Sequence, residues 1–73
     1  GASPDFELEA SLSQERLEHV FATISPTMRA VLLLRLRDDR SWDEIAKDLE
    51  LTVREVRRYL ARGYEKLRVA LEA

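Results

Sequence analysis

An all-α fold, a small four-helix domain with a C-terminal helix-turn-helix, is what this chain predicts, and three observations predict it. Two helix-start signatures stand close together: Ser41 with Glu44, and Thr52 with Glu55. Each is a capping box, in which the hydroxyl accepts from an early backbone N–H and the Glu reaches back to the cap's own N–H. Apolar residues recur along the chain at the spacing of a helix face. At 73 residues the chain is one domain near the lower size limit for independent folding, so three or four helices around one core is the ceiling.

Residues 1–12 read as a flexible connector, with acids, small residues and Pro4 but no helical apolar period beyond a turn after the proline. The Gly-Ala-Ser opening, in place of Met, is expected to be a tag remnant on a piece of a larger protein. The folded domain is expected over residues 13–73. Ser13 supplies a cap, flanked by Leu12 and Leu17 as a hydrophobic staple. Leu17, Val20, Phe21 and Ile24 then share one face, which gives a first helix from about Gln14 to Ile24 with an acidic exposed side. Ser25 caps the second helix and Pro26 takes its first position, where a fixed φ is preorganised. Met28, Val31, Leu32, Leu34 and Leu36 make that helix apolar over a wide arc, as expected of a central helix touching all the others. Asp38, Asp39 and Arg40 form the loop that follows.

The third helix starts at about Trp42 and the fourth at about Val53. Helices joined so tightly cannot lie antiparallel, and the helix-turn-helix is the usual solution. Leu51 staples onto Val56, and Ile45, Leu49, Leu51, Val56 and Tyr59 or Leu60 face the core, with Ala46 small where the helices approach. The turn of such motifs favours Gly because one residue there takes positive φ. Here that residue is Glu50, which is expected to cost some stability. The fourth helix, to about Leu71, buries Val56, Leu60, Gly63 or Tyr64, Leu67, and Ala70 or Leu71. Gly63 in mid-helix costs about 1 kcal/mol relative to Ala, and close packing against another helix is the expected reason. The opposite face presents Val53, Arg54, Arg57, Arg58, Ala61 and Arg62.

Composition excludes several classes of function. There is no Cys, and His19 is the single His, so neither a disulfide nor a His/Cys metal set is available. Asp38 and Asp39 have no third ligand beside them. No Gly-rich phosphate loop and no nucleophile with a base at workable spacing is present, so no enzyme, cofactor or small-molecule substrate is expected. No apolar run approaches the roughly 20 residues needed to span a bilayer. The net charge of −2 is unevenly distributed, at −4 over residues 1–24, −1 over residues 25–50 and +3 over residues 51–73. Positive charge thus gathers on the second helix of the motif, where phosphates would be met. The competing view is a solvated face, its arginines paired along the helix with Glu55 and Glu65.

The run ISPTMRAVLLLRLRDDRSWDEIAKDLELTVREVRRYLARGYEKLR resembles region 4 of the bacterial extracytoplasmic-function sigma factors. The resemblance lies in Ser25-Pro26 with Arg29, the Leu-rich Val31 to Leu34, Trp42 to Ala46 with its Glu-Ile-Ala, Thr52 to Val56, and Ala61 to Arg68. Arg57 to Arg62 is further similar to the iron-starvation branch, which answers to membrane-anchored anti-sigma regulators. The resemblance implies a bacterial, cytoplasmic domain that reads the −35 element of promoter DNA while docking on the β-subunit flap of RNA polymerase, with an anti-sigma factor as a further partner. Region 2, which melts the −10 element, has no counterpart in these residues, so initiation by this chain alone is not expected.

In that geometry the N-terminal half of the fourth helix enters the major groove. Arg54, Arg57 and Arg58 are then candidates for base edges, where a bidentate Arg–guanine contact contributes about 1–3 kcal/mol of discrimination. Thr52 and Val53 reach a phosphate or a thymine methyl, while Arg62, Arg40 and Lys47 meet phosphates, which position without specifying. Ser41 and Trp42 start the third helix near the DNA backbone, where free N–H groups suit a phosphate. A core-rim aromatic is the plainer role for Trp42. Two other readings stay open. One is the DNA-binding output domain of a LuxR-type response regulator, which would dimerise on paired half-sites. The other is a protein-docking module, in which Leu33 or Leu36, left exposed, receives polymerase or an anti-sigma factor.

Overall fold

A computed structural model describes residues 4–72, as four α-helices: α1 (Pro4–Thr23), α2 (Pro26–Leu36), α3 (Trp42–Leu49) and α4 (Val53–Glu72). The expected tag residues 1–3 lie outside the described residues. Three of the four helix starts fall where the local signals put them. Ser25 caps α2, its hydroxyl accepting from the Met28 N–H at 3.2 Å with Pro26 at the first position.

The start of α1 differs. It begins at Pro4 rather than Gln14, and Ser13 lies inside it, so the staple expected of Leu12 and Leu17 has no cap to flank. Proline is at home in the first turn, and from Asp5 to Thr23 no Gly or Pro interrupts propagation. Apolar periodicity bears on burial, which is a different matter from helix formation. Leu12 accordingly stands 40% exposed, while Leu17 and Phe21 pack against the core.

Val31, Leu32, Ile45 and Val56 are completely buried, and Val20, Ile24, Met28, Ala46, Leu60 and Leu67 complete the core. Burying a Val, Leu, Ile or Met side chain contributes about 1.5–3 kcal/mol, so this cluster holds the fold. The hub is α4 rather than the expected α2: α1, α2 and α3 all pack against it. Its 20 residues carry a continuous stripe, Val56, Leu60, Gly63 and Leu67, at alternating spacings of four and three. Gly63 and Ala70 resolve the two open choices, since Tyr64 and Leu71 are exposed. At Gly63 the backbone comes so close to α2 that an added Cβ would lie 2.7 Å from a methyl of Leu32. Arg29 ties α2 to α1, its Nε donating to the Phe21 carbonyl at 2.8 Å in the last turn of α1. A cation suits the negative end of a helix.

Candidate nucleic-acid interface

The joint between α3 and α4 is built from backbone groups that have no helical partner. Both capping boxes close reciprocally. The Glu44 N–H donates to the Ser41 hydroxyl and the Ser41 N–H to the Glu44 carboxylate, each at 3.1 Å. Thr52 and Glu55 repeat the pattern at 3.0 and 3.1 Å. The Ser41 N–H, its hydroxyl and then Arg40 hold the Glu44 carboxyl below the ordinary carboxylate range. Thr52 does the same for Glu55, first through its N–H and then its side chain, with Arg58 adding charge.

Between the boxes the chain reverses in a Schellman-type turn. The Leu51 N–H donates to the Ala46 carbonyl at 2.8 Å, and the Glu50 N–H to that of Lys47 at 3.4 Å. Glu50 sits at φ 56°, ψ 42°, the left-handed conformation expected of a glycine there. The turn therefore keeps its usual geometry despite the Glu. Leu51 packs against the core cluster that includes Val56 and so fixes the angle at which α4 departs.

Arg54, Arg57, Arg58 and Arg62 are all exposed, on the side of α4 opposite its buried stripe. At about 100° per residue they span about 140° of arc. Among the described residues none of the four forms an ion pair with a carboxylate. The competing reading, arginines paired along the helix, is not met among the described residues, for a specific reason. Glu55 is committed to the Thr52 N–H, and Glu65 to Arg68, which also holds Glu72. Arg57 instead lies over Trp42, its guanidinium carbon 5.3 Å from the ring centroid. Trp42 is 43% exposed, so it is an outward-facing aromatic between α3 and α4 as well as a rim residue.

The remaining candidates divide. Lys47 and Thr52 are exposed, while Val53 is half-buried and packs on the core. The Ser41 hydroxyl is engaged in its capping box. Arg40 is the exception among the cations: it pairs with Asp48 at 2.8 Å and Glu44 at 3.3 Å, the latter without hydrogen-bond geometry at its buried Nε. One relevant residue escaped the sequence. Arg35 donates to the Arg40 carbonyl at 3.0 Å and pairs with Asp39 at 3.5 Å, which locks the loop that delivers Ser41 and Trp42. It lines one groove with Trp42, Arg57, Leu60, Ala61 and Tyr64. Its only sequence signal was Asp39 four residues on. Of the docking candidates, Leu36 stands 54% exposed and Leu33 is half-buried. Among the described residues no group of His, Cys, Asp and Glu is placed to hold a metal ion, and no helix is long and apolar enough to cross a membrane.

Two capped helices at a tight turn, with an exposed arginine face on the second, define a helix-turn-helix DNA-binding domain. The family model described as Sigma-70, region 4 matches residues 14–67, and the chain belongs to that family. Comparison with curated proteins and with solved structures gives no match. Sigma region 4 is a DNA-binding rather than a catalytic domain, which recognises the promoter −35 element and works with RNA polymerase. Membership assigns the motif to the sigma factors rather than to response-regulator output domains.

Proposed function

We propose that the N-terminal half of α4 enters the major groove of a −35 element. Arg54, Arg57 and Arg58 meet base edges, Thr52 and Val53 flank them at a phosphate or a thymine methyl, and Arg62, Lys47 and Ser41 lie along phosphates, with Trp42 beside them at the start of α3. Arg40 is the weakest of the set, because a phosphate would have to displace Glu44 and Asp48. The observation that carries this reading is the arginine face itself: four exposed guanidinium groups whose nearby carboxylates are engaged elsewhere. Such a face is available to phosphates and guanines without first breaking ion pairs.

The finer reading is an alternative sigma factor of the extracytoplasmic-function type, acting in the bacterial cytoplasm. It docks on the β-subunit flap of RNA polymerase and is restrained by an anti-sigma factor. The sequence resemblance supports it, and so does Leu36, an apolar side chain standing free at the end of α2. The test is an NMR titration of the labelled chain at low salt, first with a random-pool duplex and then with duplexes enriched from that pool. Shift changes confined to residues 41–47 and 52–62 are expected. Changes confined to residues 31–36, seen only on adding a flap fragment, would make the chain a protein-docking module instead.

A further inference from the structure

The four arginines of the α4 face are not equivalent. Arg54, Arg58 and Arg62 have no hydrogen-bond or ion-pair partner among the described residues, whereas Arg57 lies over the Trp42 ring. An unpartnered arginine on an exposed helix face samples many rotamers, and immobilising it at a binding surface costs affinity. A ring beneath the guanidinium restrains it through the ring quadrupole. That contact leaves Arg57 without any hydrogen-bond acceptor among the described residues, so its forked N–H donors remain available. Bidentate reading of guanine needs this combination of a planar fork held in one orientation and donors not yet used.

The ring is itself well anchored. Trp42 is the first residue of α3, held inside the Ser41–Glu44 capping box, and Arg35 locks the loop before it. Ile45 and Ala46, one turn on, are buried in the core beside Val56 and Leu60 of α4. The position of the ring relative to Arg57 is thus set by the α3–α4 packing rather than by either side chain.

We propose that Trp42 is a positioning residue for Arg57, and that Arg57 is the principal sequence-discriminating arginine of the face, with Arg54 and Arg58 making weaker base contacts and Arg62 contributing mainly charge. This rests on the reading of α4 as the promoter-reading helix. Trp42 acts through Arg57 and need touch no base.

The test uses the whole chain and two probes: a duplex enriched from a random pool by the wild-type chain, and a scrambled duplex of the same composition. Trp42→Leu keeps apolar bulk but removes the π face, and Trp42→Phe keeps a face. Trp42→Leu is expected to lower the ratio of affinities for the two duplexes by about two- to five-fold, the span of an exposed cation–π contact. It should leave the salt dependence unchanged, because no phosphate contact is lost. Trp42→Phe should recover most of the ratio, and in an Arg57→Ala background Trp42→Leu should have no further effect. In the free chain the Arg57 δ protons should show an upfield ring-current shift that Trp42→Leu removes, with helical circular dichroism unchanged. Absence of that shift overturns the proposal without reference to DNA. So does an equal loss on both duplexes with a shallower salt slope, which would make Trp42 a phosphate contact. A Trp42→Leu chain that discriminates as well as wild type overturns the positioning role alone. Failure of the wild-type chain to enrich any duplex overturns the promoter reading and this proposal together.

Discussion

Replacing Glu50 with Gly should stabilise this domain, and the size of the gain can be worked from the turn. Glu50 holds φ 56° and ψ 42° between α3 and α4. A side chain with a Cβ in that conformation costs about 1–2 kcal/mol, whereas Gly adopts it freely. Against this, Gly enlarges the unfolded ensemble and gives back about 0.4–1 kcal/mol. Glu50 is exposed and follows the C-terminus of α3, where a negative charge faces the helix's own carbonyls. Its removal adds about 0.3 kcal/mol, the low end of the dipole effect for an exposed group. The two turn hydrogen bonds, from the Glu50 and Leu51 N–H groups, belong to the backbone and survive the substitution. The net expectation is a gain of about 1 kcal/mol, which for a domain of this size raises Tm by about 4–8 °C. Thermal unfolding followed by circular dichroism at neutral pH reads it directly. Glu50→Gln is the control, since it removes the charge and keeps the strain, and should move Tm only slightly. A Glu50→Gly chain that melts at or below the wild-type temperature would refute the claim that positive φ carries a cost here. Equal shifts for Gly and Gln would assign the whole effect to charge.

Gly63→Ala sets a helix-propensity gain of about 1 kcal/mol against overpacking of about 1–3 kcal/mol. Because the new Cβ would fall 2.7 to 3.0 Å from three carbons of the fully buried Leu32, overpacking should win and denaturant unfolding should show a net loss of about 1 kcal/mol. A more stable Ala variant would mean that α2 yields readily at this crossing. The capping boxes predict a pH dependence. Glu44 and Glu55 titrate below their ordinary range in the folded chain, so their contribution is present above about pH 4.3 and is lost as pH falls through the depressed folded values. Gln at both positions can still close the boxes without titrating, so the double variant should lose less stability than wild type between about pH 5 and pH 3. Parallel curves for the two chains would exclude the boxes as a source of acid sensitivity.

Local chemistry was legible from the sequence, and contacts between distant segments were only partly so. The starts of α2, α3 and α4 were readable because a cap and its partner lie three residues apart and close on each other without help from the rest of the chain. The left-handed turn residue was readable as well, because its conformation is dictated by the i→i+3 and i→i+5 hydrogen bonds around it. The start of α1 differs from the expected one for a physical reason. Helix formation here follows from a first-turn proline and an uninterrupted run without Gly or Pro, which leaves no mark in the apolar period. Arg40 looked like any other loop cation until the fold brought Asp48, eight residues away, to its guanidinium.

By itself, then, the sequence determined that this is an all-α helix-turn-helix domain with its positive charge on the last helix, because caps, periodicity and charge are properties of neighbouring residues. Tertiary structure alone decided that α4 rather than α2 is the hub, that Gly63 rather than Tyr64 faces Leu32, and that Arg57 rests on Trp42 while its neighbours on the face form no ion pair among the described residues. Each of these depends on the distance between helices and on which face each one turns to the others. That is settled only when the buried side chains of all four pack together, and no segment carries the information alone.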